Sequence, residues 1–598
     1  MSEFHHKAIT RRFFEIVNRG WHIPAGDLIA EVAWSALQRT LAPFTDIHFD
    51  IDSLLAEGDV VICQARFRGC HVAPFLGIPP TGRVIEVSTA HAFRIDGGRI
   101  VEGWLTWDED ALLGQLRPPD RPPESVAEPV LDGNEIQGNI LPGFSKDHQT
   151  LLLLQIVDPA AARRWLAHLV PHVATLAELH HFKRLFEHTR RRRRAEGTVR
   201  ATWVNVAFTA GGLNKLGVSP DDITDAAFRE GMPRRAAMLG DPVDPRAPGH
   251  AGHWRFGAGT AEDILLIIAS DDPDHAAREV ARRMAGTEPG LRVVGEQRGA
   301  VLPAPLASYE PFGFSDGISQ PRPRGRLSEA AGDFLTPRAA DGELAAAQRG
   351  TGLVWPGEFV LGYPSEGPSG IAGPPSVAGP AWMRNGSFLV LRRYRQDVER
   401  FDRFLQESAA RLSRQYRELR DLTASRLGAL MVGRWRSGAP IELTPDRDVP
   451  HVGGDETINN QFTFSPSAQP CPYAAHIRRA NPRMDPAARG EAQRHRLLRR
   501  GIPFVDGPER GLLFMAYMAS IERQFEFVQT AWLNDPNVGG PGAGVDPIVG
   551  MAPTGRPFTV PVDGHGAGPI LMLPEWITLT GGGYFFAPSI SALAQLAR

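Results

Sequence analysis

The stretch HQTLLLLQIVDPAAARRWLAHLV, residues 148–170, decides how the larger part of this 598-residue chain folds. HQTLLLLQIV is an apolar run of strand length, and beyond Asp158-Pro159 the pattern changes to AAARRWLAHLV, an amphipathic helix. The same alternation recurs downstream. ATWVNVAF (201–208) precedes a short helix AGGLNKLG (210–217), DILLIIAS (263–270) precedes DPDHAAREVARRMAG (272–286), and LRVVGEQRGAVL (291–302) returns as a strand.

That rhythm predicts a ferredoxin-like βαβ unit. A second set follows: GEFVLGYP (357–364), then NGSFLVLRRYRQDVERFDRFLQESAARL (385–412) as a strand running into a long helix. GLLFMAYMAS (511–520), the helix IERQFEFVQTAWLN (521–534) and GGGYFFAPS (581–589) complete it. The expected fold class is therefore α+β, with two ferredoxin-like halves over residues 131–310 and 311–598.

Toward the N-terminus the rhythm stops at RPPDRPPESVAEP (117–129), where proline and charge disfavour helix and strand alike. A linker over residues 117–130 would separate a small domain, 1–116, from the rest. In that domain AITRRFFEIVNRG (8–20) reads as a helix, and IHFDIDSLLAEGDVVICQARFRG (47–69), RVIEVSTAHAFRIDG (83–97) and GRIVEGWLTWDE (98–109) read as strands. One or two helices on a strongly curved antiparallel sheet are expected.

Composition narrows the function. Lys and Arg number 65 against 68 Asp and Glu, a net charge of -3, too balanced for a general nucleic-acid binder. The arginine run 190–194 lacks interleaved aromatics and reads as a solvated loop, while His5-His6 and His180-His181 have no partners at metal-ligand spacing. No apolar run approaches the roughly 20 residues that span a bilayer, the N-terminus MSEFHHKAITRRFFEIVNRGW is no convincing export signal, and three cysteines build no disulfide framework. A cytoplasmic protein without nucleic-acid or membrane partners is expected. The 62 glycines and 51 prolines exceed ordinary usage, with loops at 364–381 and 537–569 taking much of the excess.

Three segments carry chemistry. In YEPFGFSDGISQP (309–321) two glycines pin a turn from which Asp316 projects; CPYAAHIRRANPR (471–483) sets His476 among small residues ahead of Arg478, Arg479 and Arg483; HRLLRRGIPF (495–504) places Arg499 and Arg500 beside a turn. Singly, each suits a structural role. Together they suit one site: an imidazole to ligate iron, a carboxylate to move a proton and a guanidinium to hold developing negative charge.

These segments, with GLLFMAYMASIERQFEFVQ and in this order, resemble the dye-decolourising (DyP-type) haem peroxidases, from NEIQGNILPGF at 134–144 to GGGYFFAPSISAL near the C-terminus. The resemblance implies one haem b per chain, with His476 as axial ligand to the iron, Asp316 as distal carboxylate and Arg499, rather than its neighbour Arg500, as distal arginine. It further implies that Arg483 pairs with a haem propionate and that Ile318, Leu512 and Phe514 border the macrocycle. Many relatives carry an acid where this chain has Gly583, so Glu575 becomes the candidate partner of the proximal imidazole. Hydrogen peroxide and an organic electron donor are the implied substrates, with surface Trp or Tyr relays for bulky dyes, and a homo-oligomer is compatible with the pattern.

The N-terminal segment CHVAPFLGIPPTGRVIEVSTAHAFRIDGGRIVEGWLTWDEDALLGQL (70–116) is similar to the SnoaL-like polyketide cyclases. That resemblance implies an α+β cone around an apolar pocket, with Asp108 in the place of a general base and His71 and His91 on matching segments; the same cone also serves as a non-catalytic module. Two alternatives to a peroxidase follow: a bifunctional protein whose cyclase- or isomerase-like domain acts on a small apolar substrate, and a non-catalytic haem-binding protein.

Overall fold

The computed structural model describes the whole chain except residues 1–2, 21–27, 76–77, 79, 108, 117–127, 193–200, 259–261, 288–289, 331–332, 339–351, 484–488, 541, 553–554 and 563–567. It divides into two units, Met1–Gly133 with Ala177–Ala201 and Gly325–Leu335, and Asn134–Leu176 with Thr202–Arg324 and Thr336–Arg598. Most of the expected linker, and Arg193 and Arg194 of the arginine run, fall outside the described residues.

Residues 1–116 run α1 (Glu3–Gly20), α2 (Glu31–Leu41), β1 (Phe44–Glu57), β2 (Val60–His71), β3 (Val84–Asp96), β4 (Arg99–Trp107) and α3 (Glu109–Leu116). The strands form one antiparallel sheet in the order β1-β2-β3-β4. Alternation in β2 buries Val61, Cys63, Ala65 and Phe67 on one face. Register shifts in β1, between Thr45 and His48 and between Ile51 and Ser53, supply the bulges that bend a sheet into a cone. Phe13 and Phe14 of α1 close the concave side, edge-on to Phe93 at 5.3 and 5.9 Å.

The larger unit is built on β5 (His148–Ile156), α4 (Pro159–Leu169), β6 (Thr202–Phe208), β7 (Ile264–Ser270), α5 (Pro273–Met284) and β8 (Leu291–Ala300). These strands lie in the order β8-β5-β7-β6, the ferredoxin-like arrangement. Every residue of β7 is buried, as a central strand covered on both faces requires. The helices start where their caps dictate: Asp158 accepts the Ala160 amide at 2.9 Å ahead of Pro159, and Asp272 accepts those of Asp274 and His275, each cap stabilising its helix by about 1 kcal/mol.

The second half contributes β9 (Ser387–Gln396), α6 (Val398–Gln415), the short helix α7 (His476–Ala480), β10 (Leu498–Arg499), β11 (Ile502–Asp506), β12 (Glu509–Met518) and β13 (Ile577–Ala587). They extend the same sheet as β13-β9-β12-β10, joined to β6 through the pair Phe586 and Phe208. At the far end β11 runs beside β8, so close that a Cβ on Gly299 would lie 2.5 Å from Ile502 Cγ2. The two halves thus make one barrel-like sheet with the helices outside.

Two segments depart from expectation. GEFVLGYP is a buried turn, not a strand: the amides of Phe359 and Val360 both bond the Pro356 carbonyl, and a Cβ on Gly357 would collide with the Tyr363 carbonyl oxygen. Its apolar residues satisfy the core without a ladder, which periodicity cannot distinguish. IERQFEFVQTAWLN is helical but wide, with π turns over Ile521–Glu526 and Val528–Leu533. No helix among the described residues is long and apolar enough to cross a membrane.

Candidate active site

His476 opens α7, directly after Ala475. Its Nδ1 lies 2.7 Å from Oδ2 of Asp546, a carboxylate with no solvent exposure, while the imidazole is one third exposed. The other oxygen of Asp546 accepts the amides of Ile548 and Val549, both at 2.8 Å. The carboxylate is therefore fixed before the histidine meets it. Burial by itself would lower the imidazole's pKa, but the Asp546 carboxylate outweighs it and holds His476 above its ordinary value; the imidazole and the two amides likewise hold Asp546 below the usual carboxylate range despite its burial. With Nδ1 engaged, Nε2 is left to act as a ligand, oriented as metal-bound histidines are.

Asp546 corrects the expectation for Glu575, an exposed residue. Gly583, on buried β13, offers no side chain at all. In the sequence Asp546 shows only as an Asp-Pro turn signal, 70 residues from His476. Pairing at that distance is invisible to motif spacing.

Asp316 sits on a loop shaped by Gly313 at φ +85° and Gly317 at φ +76°, backbone that disfavours a side chain. Its Oδ1 accepts the Gly317 amide at 2.6 Å, and its own amide bonds Ser308 O at 2.9 Å. Arg499 donates through Nη1 to Ser319 O at 3.3 Å; burial lowers its pKa and Asp316 opposes that shift. Both Arg499 and Asp316 act electrostatically on His476, so the fold brings the three predicted residues into one region. Arg500 is otherwise engaged, its guanidinium donating to the carbonyls of Asn139, Ile140 and Arg499 at 2.7–2.9 Å.

Around this site positive charge accumulates without counter-charge. Arg483, held at φ +48°, lies 4.1 Å over the Phe462 ring and bonds the Asn460 and Phe462 carbonyls. Arg434 bonds the Gly438 and Asn459 carbonyls, and Arg496 bonds Ser319 O. Among the described residues none of these three has a carboxylate partner, and burial lowers Arg483 and Arg496 to about 9 and Arg434 to about 10. Leu512 and Phe514 are partly exposed on one face of β12, whereas Leu513 and Met515 are buried on the other. Ile318 packs toward Gly438, where a Cβ would meet its Cδ1 at 2.5 Å. A free imidazole nitrogen, apolar walls and unneutralised buried arginines fit an iron porphyrin with propionate carboxylates.

In the N-terminal domain, His71 Nδ1 accepts the Thr81 amide at 3.3 Å and lies 3.1 Å from its hydroxyl. His91 Nε2 lies 3.1 Å from Thr89 Oγ1, ringed by Phe14, Phe49 and Phe93, and burial drives its pKa down to about 3. Asp108 lies outside the described residues.

Fold and site together define an α+β barrel with a cluster of arginines lacking carboxylate partners and an acid-oriented imidazole. A family model for the "DyP dimeric alpha+beta barrel domain" matches residues 135–303 and one for "Dyp-type peroxidase, C-terminal" matches 374–539. The "Dye-decolorizing peroxidase msp1" of Mycetinis scorodonius is 31% identical over 514 residues, covering 80% of this chain and 91% of that protein. The "Multifunctional dye peroxidase DyP2" of Amycolatopsis is 30% identical over 491 residues, covering 77% and 95%. The solved structure of an ancestral D-type dye-decolorizing peroxidase superposes with a TM-score of 0.64 at 32% identity, over 78% of this chain and 98% of that one. The chain belongs to the family of DyP-type, dye-decolourising peroxidases, which are haem-dependent enzymes. Its N-terminal residues 29–116 match a model for "SnoaL-like polyketide cyclase".

Proposed function

We propose that this enzyme uses one haem b per chain to reduce hydrogen peroxide and to oxidise dyes, phenols or other organic donors in one-electron steps. The observation that carries the reading is the His476–Asp546 pair, whose unshared nitrogen lies in the region governed by Asp316 and Arg499. His476 would ligate the iron, Arg483 would pair with a propionate, and Ile318, Leu512 and Phe514 would border the ring. When bound, the haem supplies the redox equivalents and the Lewis-acid iron.

The protein's own residues supply the rest. Asp316, ionised, accepts the proton of the incoming peroxide and delivers it to the departing oxygen, so that water leaves. Arg499 holds the negative charge that develops as the O–O bond breaks. Asp546 keeps the proximal imidazole in the tautomer that presents Nε2. Unpaired Cys63, Cys70 and Cys471 accord with a reducing cytoplasm, and the dimeric barrel family supports a homo-oligomer.

Two variants test the reading. Asp316→Asn should slow the peroxide-driven change in the Soret band by about 10²–10⁴-fold, and an unchanged rate would move proton transfer elsewhere. His476→Ala should abolish or shift the Soret band of the haem-loaded protein; an unaltered band would refute axial ligation.

A further inference from the structure

β10 is a two-residue edge strand. Its residues Leu498 and Arg499 pair with Tyr517 and Ala516 of β12, and Arg500 N bonds Met515 O at 2.7 Å. An edge strand leaves a row of outward N–H and C=O groups that another element must satisfy. At Arg499 both are met by one side chain: Gln320 Nε2 donates to Arg499 O at 3.1 Å, and Arg499 N donates to Gln320 Oε1 at 3.3 Å. The amide plays the part of a neighbouring strand. Gln320 lies four residues beyond Asp316, and the intervening Ser319 accepts the Arg499 guanidinium through its carbonyl. On the other flank, Arg500 ties the Arg499 carbonyl to Asn139 and Ile140 in NEIQGNILPGF. A Cβ on Gly143, at φ +90°, would lie 2.3 Å from Arg500 Nε, so that loop can hold the guanidinium only with glycine there.

We infer that Gln320 is a positioning residue, which locks the main chain of Arg499 to the segment carrying Asp316 and so fixes guanidinium and carboxylate relative to each other, with Arg500 closing the clamp by tying Arg499 to carbonyls of the first half of the barrel. The inference rests on the proposed roles of Asp316 and Arg499. It gives the Gln of GISQP and the second arginine of HRLLRRG a function that neither motif reveals alone. A clamp matters because a displacement of about 1 Å at a reacting group costs about a hundredfold in rate.

The test is a double-mutant cycle on the full-length holoenzyme. Gln320→Leu keeps the volume and removes both bonds; the bimolecular rate constant with hydrogen peroxide should fall roughly 10–100-fold, with donor KM and the Soret band unchanged. In an Arg499→Leu background the same change should cost less than about twofold, because a residue acting through Arg499 has nothing left to position. Hydrogen exchange in the peptide spanning residues 497–502 should accelerate in Gln320→Leu. Arg500→Lys, which retains the charge but replaces three separate donor nitrogens by one, should show the same non-additivity and stands in if Gln320→Leu fails to fold. A wild-type rate in Gln320→Leu, or equal losses in both backgrounds, overturns the inference alone. A wild-type rate in Arg499→Leu overturns the proposed role of Arg499 and this inference with it.

Discussion

His476 and Asp546 show how a candidate site is assembled from one residue that a motif announces and one that it does not. Asp546 has no exposure and spends one oxygen on two backbone amides, leaving the other rigidly aimed at Nδ1. Asp546→Asn preserves the shape but removes the charge that raises the imidazole. Activity of the haem-loaded variant should fall about 10–100-fold, the range for outer-shell partners of metal ligands, and the ferric/ferrous midpoint potential should rise; potentiometry showing no shift would deny the carboxylate its electronic role. The same scale separates the two adjacent arginines by their partners. The family resemblance favours Arg499 over its neighbour, and in the structure their partners differ: the Ser319 carbonyl and the field of Asp316 for Arg499, three carbonyls for Arg500.

The loop that carries Asp316 is tied together by Glu310. This partly buried acid accepts the amides of Phe312 and Phe314 and the Gln396 side chain, tying the loop to the end of β9, while the Phe312 and Phe314 rings lie against Phe401 of α6. Burial, opposed by those three bonds and helped by Asp316, pushes its pKa up to about 7 from an ordinary 4.5. Because the folded state binds the proton more tightly than the unfolded chain, the contribution to stability is complete below about 4.5 and is lost as pH rises through 7. The loss amounts to about 3 kcal/mol at most. Glu310→Gln should therefore flatten the decline in unfolding free energy between pH 5 and pH 8, measured by denaturant titration; parallel pH curves for variant and wild type would show that Glu310 does not titrate there. The strand-helix pairs around this loop were legible because continuous apolar runs and capped amphipathic helices are local signals. GEFVLGYP was not, since its burial comes from a turn packed by distant residues.

Across the whole molecule, the barrel and every residue assigned to the peroxide site fall in the larger unit. Deleting residues 1–116 should leave the Soret band intact and the peroxide rate within about twofold; loss of haem binding would give the N-terminal domain a structural share in the site. Within that domain His71 and His91 are both buried, His71 beside Phe44 and His91 among Phe14, Phe49 and Phe93, where burial drives its pKa down to about 3. By itself the amino-acid sequence determined the α+β class, the ferredoxin-like rhythm and the cone-like N-terminal domain, and it singled out His476, Asp316 and the Arg499-Arg500 pair as candidates, because each rests on local periodicity or a short turn-bound motif. Tertiary structure alone decided the Asp546 partner, the different partners of the adjacent arginines, the Gln320 clamp and the joining of both halves into one sheet. Those depend on side chains and strand edges that meet across tens to hundreds of residues, where burial and hydrogen-bond geometry, not sequence spacing, determine which groups pair.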